Sequence, residues 1–305
     1  MEHAPRFLGR EAVRDLLPAI PDQVDLVERT YRAMAAGRVE APPKIGIHPR
    51  ADTFLHAMPA YLADDDVAAL KWVSGFPLNP ARGLPYIEGI IVLNDPETGL
   101  VRAVLDAREI TAARTAAASG VCVRAFAQPG WRTAAILGSG EQGRYHAALL
   151  RTLWPSVEIR AYDPLPERAA TLGSGAVAVA TPEDAVRGAD VVISAAPLVD
   201  DPRPVVGPDL LGPRTLLLPV DLDVVIAPEA IAAAQLLVSD DVAQWRYYRD
   251  LGRFRDWPEP TASVGEALAT GLTAPRVAAC NIGASALDAA FAAAVLRAAE
   301  DGAMP

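Results

Sequence analysis

Lysine is almost missing from this chain. Of 28 basic residues, only Lys44 and Lys71 are lysine, and the rest are arginine. A guanidinium stays charged under ordinary conditions, whereas a desolvated lysine can lose its proton. A sequence so biased keeps lysine where chemistry asks for it, or keeps two surface lysines by chance; composition leaves both readings open. Cysteine is equally scarce, with Cys122 and Cys280 each inside an apolar stretch. These two cysteines, with His3, His48, His56 and His146 at no ligand spacing, exclude a disulfide framework and predict no metal site. The thiols read as buried and free. No apolar run reaches the length that spans a bilayer. Residues 1–10 lack the basic-then-apolar opening of a secretion signal. The expectation is a cytoplasmic protein with no membrane partner. A net charge of −10 repels polyanions and argues against nucleic acid as a partner.

What is present is apolar: 51% of the residues, enough for one large core or two ordinary ones in 305 residues. Up to about residue 115 the pattern is mixed. Helical spacing runs through 22–36, with Val24, Val27, Tyr31 and Met34 on one face. Strands are predicted at 54–58 and 69–73. A hairpin is predicted from 88–93 and 100–105, around Asn94-Asp95-Pro96-Glu97-Thr98-Gly99. An Ala-rich helix covers 106–127. From Thr133 onward, short apolar strands alternate with helices: strands at 133–137, 157–162, 176–179, 190–194, 215–220 and 235–238, with helices at 141–153, 167–171 and 182–187. A last Ala-rich helix spans 284–299. This rhythm predicts an α/β fold with a Rossmann-type doubly wound parallel sheet beside a mixed α+β region. Core packing is the expectation for Trp245 and Tyr248, in the aromatic run from Asp240 to Arg249.

Between the first of these strands and its helix stands Gly138-Ser139-Gly140-Glu141-Gln142-Gly143. A lone glycine pattern of this kind is weak; a strand before, a helix after and an acid ending the next strand make it strong. Gly138 permits the turn, Gly140 lets backbone approach a pyrophosphate, and Gly143 lets helix pack on strand. The helix N-terminus near Glu141 offers free N–H groups to phosphates. Asp163 follows Gly143 at the distance of the residue that binds ribose hydroxyls and repels a 2′-phosphate, so the pattern favours NAD over NADP. The alternative reading makes Asp163 a turn residue before Pro164. Ser194 and Ala195 end the fourth strand, on the edge where such cofactors lie.

Three stretches resemble the ornithine cyclodeaminase/mu-crystallin family: Met58-Pro59-Ala60, Lys71 through Asn79, and the run from Gly83 to Ser119. The glycine loop agrees with them. The resemblance implies an NAD(P)-dependent protein whose chemistry passes through an imine beside a carboxylate, with a small carboxylate-bearing substrate. It implies a substrate-binding and dimerisation domain of residues 1–117 and 283–305, a dinucleotide domain of residues 118–282, and a homodimer. By position, Lys71 matches the family lysine beside the substrate carboxylate, Arg114 the carboxylate-binding arginine, and Thr115 falls to the cofactor. A guanidinium fork suits a carboxylate, although an arginine on an Ala-rich helix equally suits a structural ion pair. The family's essential aspartate falls on Asp223, with Asp221 a near competitor and the usual Pro-Gly-Lys absent. Lys44 stands where the family has arginine. His56 replaces the glutamate that holds ornithine's distal amine in the cyclodeaminases. An imidazole holds an ammonium poorly, so ornithine is disfavoured. The leading expectation is a ketimine reductase or amino-acid dehydrogenase, with Asp223 and Lys71 catalytic and Lys44, His56 and Arg114 on the substrate. A cyclodeaminase that recycles NAD and a non-catalytic binder of mu-crystallin type are the alternatives.

Overall fold

The computed structural model describes residues 4–302, so His3 lies outside the described residues. The chain divides into two compact units. One comprises the chain up to Arg114 and from Ala284 onward; the other is Thr115–Gly283.

The first unit begins with β1 (Arg6–Leu8), α1 (Arg10–Leu16) and α2 (Ile20–Ala35). Then come β2 (Val39–Glu40), β3 (Ile45–Ile47), β4 (Phe54–Leu62), β5 (Val67–Gly75), β6 (Ile87–Asn94) and β7 (Val101–Asp106). Pro21 sits in the first turn of α2, where its missing N–H is harmless. Val24, Val27 and Tyr31 bury the predicted face, and Met34 is half-buried at its end. The hairpin between β6 and β7 closes on Asp95, whose Oδ1 accepts from the Thr98 N–H (2.8 Å) and hydroxyl (2.7 Å). Gly99 takes the left-handed conformation there, φ 74°. The sheet order is β1-β7-β6-β5-β4-β2, with β3 also on β4; β1 joins in parallel and the other pairs are antiparallel. β4 and β5 reach nine residues each, longer than the sequence predicts. Their inward positions include His56, Ala60, Ala69 and Lys71, small or polar residues that blur the apolar alternation.

α3 (Arg108–Phe126) follows, and the division between the units falls within it. The second unit continues with β8 (Thr133–Leu137), α4 (Glu141–Leu153), β9 (Glu158–Tyr162), α5 (Pro166–Ala170), β10 (Val177–Ala178), α6 (Pro182–Val186) and β11 (Val191–Ser194). After these come β12 (Leu216–Pro219), α7 (Pro228–Ala232), β13 (Leu236–Ser239), α8 (Val242–Asp250), β14 (Ala262–Ser263), α9 (Val264–Thr270) and β15 (Val277–Cys280). Its eight strands are all parallel, ordered β10-β9-β8-β11-β12-β15-β13-β14. The direction of winding reverses between β8 and β11, which makes their carboxyl ends a ligand crevice. The fold is therefore the expected α/β class. Five elements of this unit, α7, α8, β14, α9 and β15, have no counterpart among those expected. β15, too short to be read from Val-Ala-Ala-Cys, inserts between β12 and β13. The aromatic run 242–250 is a helix, capped by Asp241, whose Oδ1 accepts from the Gln244 N–H (2.9 Å). Trp245 is fully buried there and stacks on Phe254, while Tyr248 is half-buried.

α10 (Ser285–Asp301) returns to the first unit and packs on β4, β5, β6 and α2. It covers one face of the mixed sheet. The other face exposes Phe7, Ile45, Ile47, Leu70, Trp72 and Ile90. Trp72 is flanked there in register by Ala57 and Ile90. Among the described residues no helix is long and apolar enough to cross a membrane. No cluster of three or more His, Cys, Asp or Glu there could hold a metal. Cys122 and Cys280 are buried and are not joined in a disulfide.

Candidate active site

In the first unit, Lys71 projects from the middle of β5 onto the face covered by α10, between Met58 and Ile91 of the neighbouring strands. It is 1% exposed. An ammonium in that setting loses its hydration and needs a counter-charge. Asp288 of α10 supplies it: Oδ2 lies 2.7 Å from Lys71 Nζ, and Oδ1 accepts from Arg114 Nε at 3.0 Å. All three side chains are buried. Burial, and secondarily the Arg114 charge, lowers the Lys71 pKa to about 7; Asp288 opposes the fall, and Lys44 adds to it. Lys71 is thus poised near neutrality.

His56 is buried on β4. Its ring stacks on Phe54 (centroids 4.4 Å apart) and meets the His48 ring edge-on at 6.0 Å. Burial first, then the charges of Lys44, His48 and Lys71, lowers its pKa to about 3, so the imidazole is neutral near pH 7. Gly46 of β3 makes room for it: a methyl there would meet the His56 ring at less than 3.0 Å. Lys44 is half-buried just before β3.

In the second unit the glycine loop joins β8 to α4 at the winding reversal. Gly138 has φ 106°, and a Cβ there would lie 2.5 Å from the Ala195 carbonyl oxygen. Gly143 packs on the Gly138 carbonyl more closely than any Cβ allows. Nothing lies within 4 Å of a Cβ at Gly140. No side chain caps α4, and the buried Ser139 Oγ and Gln142 Oε1 have no hydrogen-bond partner among the described residues. An open approach, uncapped N–H groups and two unsatisfied polar atoms fit a pyrophosphate. Asp163 ends β9 and orders the loop: Oδ2 accepts from the Ser139 N–H (2.8 Å) and Oδ1 from the Leu165 N–H (2.9 Å). Behind the loop, His146 Nδ1 lies 2.8 Å from the Gln142 carbonyl, so Nδ1 carries the proton and Nε2 accepts from the Ser119 hydroxyl at 2.9 Å. Burial lowers the His146 pKa to about 4 and keeps the ring neutral. Thr115 is buried on α3, next to Arg114 in the chain.

The two aspartates after β12 have different surroundings. Asp221 is 1% exposed, and both its oxygens are engaged: Oδ1 by the Ser194 hydroxyl (2.6 Å), Oδ2 by the Ala196 N–H (2.9 Å). Burial raises its pKa to about 7, against the lowering effect of those hydrogen bonds. Ser194 therefore turns its hydroxyl toward Asp221, and the neighbouring Ala195 offers only backbone and a methyl. Asp223 is less enclosed. Its Oδ1 pairs with Arg253 Nη1 (3.0 Å) and its Oδ2 accepts from the Phe254 N–H (3.0 Å). Arg253 also donates to the Val199 carbonyl (2.7 Å), tying the loop after β11 to the one after β12. Phe254 holds a left-handed φ of 52° to present its N–H.

Sequence reasoning missed Asp288 and Arg253. A signal for Asp288 was available: it is the one charged residue between Arg276 and Arg297. An acid alone in so apolar a run needs a buried cation. Arg253, among many arginines, carried no such mark.

A model of the ornithine cyclodeaminase/mu-crystallin family matches residues 5–252. The nodulation efficiency protein NfeD of Rhizobium meliloti is 34% identical over 308 residues, spanning 97% of this chain and 95% of that protein. The ketimine reductase mu-crystallin of Mus musculus is 30% identical over 202 residues, 64% of each chain. An archaeal alanine dehydrogenase dimer, solved with bound NAD, matches at a TM-score of 0.85 and 27% identity over 98% of this chain and 97% of its own. A whole-chain structural match, a family model over most of the length and a relative this similar end to end have one consequence: the chain belongs to the ornithine cyclodeaminase/mu-crystallin family.

Proposed function

We propose that the protein is an NAD-dependent oxidoreductase that reduces an α-imino acid, or in reverse oxidises an α-amino acid. The observation that carries this reading is the buried pair of cations in the first unit, Lys71 and Arg114, in a chain that also holds a phosphate-ready glycine loop. Relatives named as alanine dehydrogenase and ketimine reductase support it. Gly138 to Gly143 and the N-terminus of α4 hold the pyrophosphate, and Asp163 takes the ribose hydroxyls, which favours NAD over NADP. Bound there, the dinucleotide supplies or accepts a hydride at the carbon next to the substrate carboxylate. Lys71, Arg114 and Lys44 hold that carboxylate. A Lys71 pKa near neutrality suits proton exchange with the substrate nitrogen.

Asp223 is the acid we assign to catalysis, because Asp221 is enclosed, at 1% exposure, whereas the Asp223 side chain keeps 13%. Arg253 and the Phe254 N–H fix the direction of the Asp223 carboxylate. The neutral His56, standing where a cyclodeaminase carries a carboxylate, speaks against a diamino acid as substrate. The exposed apolar face around Trp72, with the dimer recorded for the alanine dehydrogenase, supports a homodimer through the mixed sheet. Buried thiols outside any disulfide fit a reducing, cytoplasmic setting.

The test is oxidation of NADH with a panel of cyclic ketimines, and with pyruvate plus ammonia. No turnover despite measured NADH binding refutes the reading. Ammonia release from an amino acid without net NADH change identifies a cyclodeaminase instead.

A further inference from the structure

Asp288 belongs to no stretch of the chain that the family resemblance singled out, yet it sits at the centre of the cationic cluster. Its two oxygens divide their attention, Oδ2 to Lys71 Nζ at 2.7 Å and Oδ1 to Arg114 Nε at 3.0 Å. Without it, two like charges would be held together away from water, an arrangement that separates or loses a proton. With it, and with Lys71 protonated, the trio carries one net positive charge, the complement of a single carboxylate. Using Nε for Asp288 leaves the terminal nitrogens of the Arg114 fork for another acceptor.

We infer that Asp288 is a positioning residue of the substrate site: it holds Lys71 and Arg114 side by side and keeps Lys71 charged enough to bind a carboxylate. The inference rests on the functional reading above for the identity of the ligand, but not for the grip on Lys71. Among the described residues, four charged or titratable groups face Lys71: Asp288 from α10, Arg114 from α3, Lys44 from the segment before β3 and His56 from β4. Only Asp288 among them is an acid. The Lys71 midpoint, about 7, is therefore held up by Asp288 against burial and against the charges of Arg114 and Lys44.

The chain's two lysines make this directly measurable. Protein labelled with 13C at lysine Cε gives two side-chain signals, assigned with a Lys44→Arg variant. In Asp288→Asn the Lys71 midpoint falls by roughly one to three pH units, the range expected for loss of an adjacent opposite charge. Asp288→Ser, smaller and equally neutral, carries the same prediction if the asparagine variant does not fold. Asp288→Glu keeps the charge, and its midpoint stays within about half a unit of the parent if the longer arm still reaches Lys71. In either neutral variant, KM for the imino acid at pH 7 rises by about tenfold or more, while NADH affinity is unchanged. An unmoved Lys71 midpoint overturns the inference. So does a moved midpoint with KM and kcat both unchanged. If the parent protein binds NADH but turns over no imine, the functional reading fails, and the titration alone decides for Asp288.

Discussion

Two glycines three residues apart in the dinucleotide loop are expected to fail in opposite ways. At Gly143 an added methyl meets the backbone carbonyl of Gly138 at less than 3.0 Å, and a backbone oxygen has no rotamer to escape into. The first turn of α4 must retreat, carrying with it the buried Ala147 and Leu150 and the bond from Ser119 to His146. Overpacking of this kind destabilises by roughly 1–3 kcal/mol, and loss of the buried hydrogen bond adds about 1 kcal/mol. A sum of about 2–4 kcal/mol lowers the melting temperature by roughly 4–16 °C for a protein of this class, at about 2–4 °C per kcal/mol. At Gly140 the backbone has φ −73°, and a methyl there points into open space. Gly140→Ala should therefore melt within about 1 °C of the parent, or slightly above it. The same methyl occupies the approach assigned to the pyrophosphate, so NADH affinity should fall by about tenfold or more. The assay is a thermal melt of both variants with a parallel NADH fluorescence titration. Destabilisation of Gly140→Ala to the level of Gly143→Ala, or parent-like NADH binding by it, refutes the placement of the cofactor.

Three other outcomes follow from the same geometry. Asp223→Asn should lower kcat by about a hundredfold or more, the range for a lost general acid–base group, with NADH affinity unchanged in titration. Asp163→Ala removes a carboxylate that orders the loop and that we propose repels a 2′-phosphate. Its ratio of NADH to NADPH affinity should fall, and no change in that ratio would remove Asp163 from the ribose. Asp221 has a folded pKa of about 7, above its unfolded value. Its contribution to stability is present below about pH 4 and is lost as pH rises toward 7. Urea unfolding of Asp221→Asn should therefore show a flatter decline between those limits than the parent.

The parallel unit was legible because its strands are buried on both faces and read as short apolar runs, with the glycine loop as punctuation. Elements without a period were not legible. β15 is four residues of small apolar side chains, and its position between β12 and β13 is a matter of topology alone. The ends of β4 and β5 were lost because inward positions carry His56 and Lys71, whose burial depends on partners distant in the chain. The cationic cluster was half legible. Lys71 stood out by the rarity of lysine and Arg114 by its motif. Asp288 is 174 residues beyond Arg114, and no local pattern joins them. Between Asp221 and Asp223 the sequence offered only counting; hydrogen bonding separates them, one clasped by Ser194 and Ala196, the other by Arg253 and Phe254.

The return of α10 has a consequence for how the molecule comes into being. The unit from Thr115 to Gly283 is continuous and complete before α10 is synthesised. The unit begun before it is not, because one face of its sheet lacks its cover until α10 emerges. Folding during synthesis ordinarily proceeds from the N-terminus; here the later unit can close first. Until Asp288 arrives, Lys71 and Arg114 have no acid of their own between them, so the nascent sheet is uncovered and over-charged at one place. A truncation just before Ser285 should leave a folded dinucleotide unit attached to a sheet that recruits chaperones.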